Sequence, residues 1–230
     1  MKAGKALLSP QQIRAQEKLA ILLAFIAGYT DATGLIQWKT YVSFMSGNTT
    51  QLGAGFFSGK SEIVITSITV ITSFLIGVYI GSCITLWKKR KAKTIVFYIT
   101  SGIMILYTFI NYNHQIPVIP SIAVIGFAMG MMNTIVTSVG NLKVNTDFVT
   151  GTLNSLAKNI AIFTMSNDKN EKKESKDYAI HLLLLWIGFV SGAFTSSFLI
   201  NLLEKCTLLV PAILLLTCSG LISNPITKKN

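Results

Sequence analysis

Charge is scarce in this chain. Only 13% of its 230 residues are Asp, Glu, Lys or Arg, where a soluble domain carries about a quarter. That shortage excludes an ordinary soluble globular protein, and the mean hydropathy of +0.56 agrees. Histidine is scarcer still. His114 and His181 stand far apart and make neither a metal site nor a catalytic pair. Cys83, Cys206 and Cys218 lack metal or redox spacing and lie in or beside apolar runs, so they read as packing residues. There is no nucleotide loop, zinc spacing or Ser/His/Asp constellation. Nothing supports an enzyme, and no cofactor or metal is expected. No small-x-small cleavage site follows the basic start before Asp31, so the first apolar run is expected to be retained.

Long apolar runs dominate what is there. They cover residues 19–36, 63–86, 94–110, 117–139, 178–203 and 207–223. Each is near or above the roughly 20 residues that cross a hydrocarbon core. None alternates over about 10 residues as a barrel strand does. The expected fold is an all-α membrane protein, a single integral domain over residues 1–230 with six transmembrane helices. The net charge of +11 raises the thought of nucleic acid, but its distribution argues against that partner. Basic residues cluster between the runs: Lys2, Lys5, Arg14 and Lys18; Lys88, Lys89, Arg90, Lys91 and Lys93; Lys169, Lys172, Lys173 and Lys176; Lys228 and Lys229. This is the positive-inside pattern, which puts the clusters and both termini in the cytoplasm.

Two stretches look like copies of each other. Ala24, Gly28 and Asp31 share their spacing with Gly126, Gly130 and Asn133. Each triplet leads to a broken polar segment, Ser46-Gly47-Asn48-Thr49 or Thr150-Gly151-Thr152-Leu153. Each segment leads to a pair of glycines four apart, Gly77 and Gly81 or Gly188 and Gly192. The charge pattern works if both broken segments dip into the membrane and return to the same side; an extended stretch followed by a half-helix that crosses the whole bilayer is the alternative. Two three-helix repeats, about 19–110 and 117–224, are then inverted relative to one another, as in many secondary transporters. Tyr41-Val42-Ser43-Phe44 favours extended backbone. Ser46, Asn48 and Thr49, with Thr150 and Thr152, carry side chains suited to capping a half-helix start. The two starts are expected to meet near mid-membrane, where their N–H groups suit an anion or another acceptor.

Asp31 is the one acidic residue well inside a predicted span. A group at that depth is costly and usually faces a partner or a wet pathway. Its chemistry fits proton or cation coupling, a substrate contact, or a hydrogen-bonded lock on the broken segment. Asn133 holds the matching place but cannot titrate. Gly77, Gly81, Gly188 and Gly192 read as close helix packing. Lys158 reads as a side chain snorkelling to the surface.

At Gly28-Tyr29-Thr30-Asp31-Ala32 and Phe44-Met45-Ser46-Gly47-Asn48-Thr49 the chain resembles the YoaK-like family of bacterial membrane proteins of unknown function. The family pattern is Gly-x-x-Asp-Ala and then Thr-Gly-Asn, with Ser46 here replacing the threonine and keeping its hydroxyl. The resemblance covers most of the chain and implies a bacterial inner-membrane protein. It brings no substrate. The extended-then-helical break also looks like the central elements of sulfate permease and nucleobase transporters, an analogy of fold only. The residues point to a secondary transporter of a small polar or anionic solute. A channel or passive pore and a non-transport scaffold are the alternatives. The expected partners are the lipid bilayer and that solute, with a homodimer compatible with the length.

Overall fold

Backbone placed in hydrocarbon must satisfy its own N–H and C=O groups, and helices do so within one segment. A computed structural model describes residues 10–88, 92–135 and 149–223, and every regular element among them is helical. In order these are α1 (Pro10–Trp38), α2 (Met45–Phe57), α3 (Ser61–Trp87), α4 (Ala92–His114), α5 (Val118–Met132), α6 (Val149–Met165), α7 (Lys169–Leu203) and α8 (Leu209–Ser223). A 3-10 turn, Glu204–Cys206, joins the last two. Four stretches are long and apolar enough to cross a membrane: Arg14–Trp38, Ser61–Trp87, Lys93–His114 and Lys169–Cys206. Two shorter apolar helices, Val118–Met132 and Leu209–Ser219, fall at the fourth and sixth expected runs. The end of the fourth run, 136–139, lies outside the described residues.

One boundary needs correction. The lysine-rich stretch 166–176, expected as a loop, is helical from Lys169 onward. Asp168 caps it, its carboxylate accepting from Asn170 N at 2.8 Å. Behind that cap, Lys and Glu are good helix formers, so α7 extends beyond the apolar run.

Lipid offers no hydrophobic drive for helix association, so close packing must come from small residues. The two largest contacts, α1 on α7 and α3 on α5, are built that way. A Cβ added at Gly28 would strike Phe189 O, and one at Gly192 would strike Phe25 O. A Cβ at Gly77 would strike Phe127 O, and one at Gly130 would strike Phe74 O. Gly188 lies against Ile21, whose carbonyl oxygen would be 2.9 Å from a new Cβ; Gly81 lies against Thr134 at 2.7 Å. Contacts advance together along both members of each pair, so α1 runs parallel to α7 and α3 to α5. Helix α6 packs on α7, α2 on α3, and α4 on both α5 and α8.

These contacts sort the helix ends into two poles. Trp38, ending α1, meets Tyr107 near the end of α4 edge to face at 6.2 Å. The 3-10 turn joins that pole, where Lys205 Nζ donates to Tyr112 O at 3.4 Å. Arg14 and Lys18 start α1, Lys88 and Lys93 flank the α3–α4 turn, and Lys169, Lys172, Lys173 and Lys176 start α7. All of them fall at the opposite, basic pole. Leu23, Ile26, Ile122, Ile125, Met129 and Leu215 fill the interior, while Leu75, Tyr79, Phe109, Phe194 and Phe198 point outward.

Candidate functional site

Helix α1 stops because Lys39 takes φ 57°, a left-handed conformation that turns the chain back. Residues 39–44 then return along α1. By Val42 they are level with Asp31, seven residues before Trp38, or about 10 Å along the helix axis. Here α2 begins, pointing back the way the chain came. At Gly59 (φ 70°) it turns into α3. Gly55 packs on Ile63 and Val64 across this hairpin.

Asp31 holds the reversal. It is 4% exposed. Its Oδ1 accepts from Val42 N at 2.9 Å, Ser43 N at 2.7 Å and Phe44 N at 3.4 Å. Its Oδ2 accepts from Ser43 Oγ at 2.8 Å. Asn48, fully buried, makes a second lock from inside α2. Its Oδ1 accepts from Thr40 Oγ1 at 3.0 Å and Tyr41 N at 3.2 Å, and its Nδ2 donates to Tyr41 O at 2.8 Å. Backbone groups that would be orphaned at this depth are thus paired by two side chains from opposite directions. A carboxylate is an acceptor-only group, and four donors suit it.

The capping chemistry differs from the expectation. Helix α2 begins at Met45, so Ser46, Asn48 and Thr49 lie inside it, and its N-cap, Phe44, makes no side-chain cap. Thr49 Oγ1 donates backwards to Met45 O at 2.8 Å, as Thr50 Oγ1 does to Ser46 O at 3.0 Å. Asp31 reaches the Phe44 amide instead, because the returning chain brings that amide to α1. Ser46 and Thr49 are exposed.

The second half is described in part. Asn133 caps the end of α5 and is half-buried, its N donating to Met129 O at 3.0 Å. Thr150 is exposed and Thr152 half-buried in the first turn of α6. The stretch before α6, Asp147 included, lies outside the described residues. Helices α2 and α6 pack on α3 and α7, and the described residues give their two starts no extensive common face. Lys158 is exposed on α6.

Several polar residues in this girdle carry no sequence signal beyond being polar in an apolar run. Thr33 Oγ1 and Ser196 Oγ pair at 2.8 Å across α1 and α7. Tyr29 OH donates to Thr207 O at 3.0 Å. Thr30 Oγ1 donates to Ile26 O at 2.9 Å and lies 3.4 Å from Met129 Sδ.

No solved structure matches this chain. A UPF0700 transmembrane protein of Rhizobium meliloti (strain 1021), RA0705, is 28% identical over 204 residues, covering 88% of this chain and 84% of that protein. The UPF0700 transmembrane protein YoaK of Bacillus subtilis (strain 168) is 24% identical over 182 residues, 75% of this chain and 80% of that one. With the four long apolar helices, these relatives make the chain a membrane protein. The family described as "Protein of unknown function (DUF1275)" matches residues 19–221, and the chain belongs to it.

Proposed function

We propose that this protein is a secondary transporter of a small polar or anionic solute, built from two inverted repeats, α1–α4 and α5–α8, with its site between them at mid-membrane. The carrying observation is that the two glycine crossings exchange. Swapping α1 with α5 and α3 with α7 turns the contact of Gly192 with Phe25 and Tyr29 into that of Gly77 with Phe127 and Met131. The same swap turns Gly28 on Phe189 into Gly130 on Phe74. The α1 and α5 partners keep one constant sequence offset, and the α3 and α7 partners another. This register favours Gly77 opposite Gly192, one turn beyond the Gly188 that spacing alone suggests.

The reversal at 39–44 supports a re-entrant α2, entering and leaving at the pole where α1 ends. Helix α6 is its counterpart from the basic pole. Helices α5 and α8 complete six spans, and the basic pole with both termini faces the cytoplasm. Irregular backbone at depth belongs where it lines a cavity, which makes the start of α2 one wall of the site. Ser46 and Thr49, with Thr150 and Thr152, supply exposed or half-buried hydroxyls to it.

Asp31 supplies the coupling group. Its Oδ2 faces the Ser43 hydroxyl, which can accept as well as donate. A proton on Oδ2 is therefore accommodated while the amides keep Oδ1. The full set of donors also favours a second reading, in which Asp31 is a structural lock only. Proteoliposomes offered small carboxylates, inorganic oxyanions and neutral polar solutes, with and without a proton gradient, distinguish these. Coupled transport predicts gradient-driven uptake of one class, lost in Asp31→Asn while binding persists at least in part. Undiminished gradient-driven uptake by Asp31→Asn assigns the residue to the lock. Gradient-independent flux makes the protein a channel, and no flux of any class sinks the transport reading.

A further inference from the structure

The seam between α1 and α7 has buried polar atoms without a partner at its basic end. His181, on α7, is 6% exposed, and its Nε2 has no hydrogen-bond partner among the described residues. The buried Oε1 of Gln16, on α1, is likewise unpartnered. Leaving such buried groups unpaired is costly, so their presence needs a reason. The parallel register that sets Gly188 on Ile21 and Ser196 on Thr33 carries back, turn by turn, to His181 level with Gln16 and Glu17. Among the described residues, Glu17 is the charged group that acts on His181.

A neutral imidazole has one donor and one acceptor, whereas a protonated one has two donors. Gln16 and Glu17 offer acceptors at the same level. Adding a proton to His181 therefore gives the ring a second donor at the level of an amide oxygen and a carboxylate. We propose that His181, Gln16 and Glu17 form a proton-operated clasp that ties α1 to α7 at the basic pole. Protonation closes it and deprotonation loosens it.

The other charged groups nearby leave the pairing to Glu17. On α1, Arg14 and Lys18 are exposed. On α7, Lys176 and Asp177 are exposed, and Tyr178 interacts with Glu174. On α6, the other helix packed against α7, Lys158 is exposed. The corresponding end of the α3–α5 seam carries no such device. Thr66 Oγ1 there bonds its own helix at Glu62 O, 3.0 Å away, and α5 brings Val118 and Ile119. The clasp thus senses pH at one pole. It stands on the α1–α7 seam and does not depend on the transport reading.

The test uses the full chain in lipid nanodiscs, with Cys83, Cys206 and Cys218 replaced and spin labels at positions 18 and 174. Distance distributions are recorded from pH 5 to 8, the range in which histidines titrate. The clasp predicts a short, narrow population that grows several-fold on acidification. His181→Gln should abolish the response. Glu17→Gln should fold normally and move the midpoint about one pH unit lower, because it removes the opposite charge. Distributions identical at pH 5 and 8 would overturn the clasp. So would a wild-type response in His181→Gln or, if that variant fails to fold, an unmoved midpoint in Glu17→Gln.

Discussion

Asp31 and Asn48 explain why an irregular segment survives beside α1. Asp31→Ala strands three backbone N–H groups and a hydroxyl. Hydrogen bonds to a charged group contribute about 1.5–3 kcal/mol each, so the loss should be about 3 kcal/mol or more. Asp31→Asn keeps an acceptor for the amides and should lose about half as much. Asn48→Ala removes three bonds to Thr40 and Tyr41 and should fall between them. Thermal unfolding in detergent reads this order, and an Asp31→Ala as stable as wild type would refute the lock. The burial of Asp31 was legible in the sequence, whereas the extended backbone expected at 41–44 gives way to bends at Val42 and Ser43 that turn three successive amides toward Asp31. The partners of Asp31 were not legible, because backbone amides are donors at every residue and only the chain reversal selects Val42, Ser43 and Phe44. The capping assignment for Ser46 and Thr49 failed for the same reason: the cap arrives from another helix.

At the scale of elements, glycines divide into those that meet a neighbour and those that do not. An alanine Cβ at Gly28, Gly77, Gly130 or Gly192 would collide with a backbone carbonyl, which cannot rotate away. Each substitution should cost at least about 1–3 kcal/mol, as overpacking does. Gly102 in α4 has nothing within 4 Å of the added atom, so Gly102→Ala should stabilise its helix by about 0.5–1 kcal/mol. Unfolding of the five alanine variants checks this, and a neutral Gly192→Ala would contradict the crossing. The small-residue spacing announced these contacts in the sequence. It left the register open by one turn, since glycines four apart offer two equivalent matches and only Phe25 and Phe127 on the facing helices choose between them. The helical start of α7 was hidden by its charge, which marks exposure and says nothing against a helix.

For the whole molecule, the apolar runs told the class of protein, and the described lysines of the clusters fall at one pole of the helices. Pairing α1 with α7 and α3 with α5 required tertiary contacts. In the proposed transporter, Ser46 and Thr150 line a water-reached cavity at mid-membrane, entered from opposite poles. Single cysteines at these positions, in a cysteine-free chain, can be exposed to a small impermeant thiol reagent in right-side-out and inside-out vesicles. Cysteines at 59 and 172 mark the two poles. Position 59 should react from outside and 172 from the cytoplasmic face. Ser46→Cys should react from outside and Thr150→Cys from the cytoplasmic face, each protected by a transported solute. If 172 reacts from outside, or neither mid-membrane position reacts from either face while the pole markers do, the inverted-repeat transporter is contradicted.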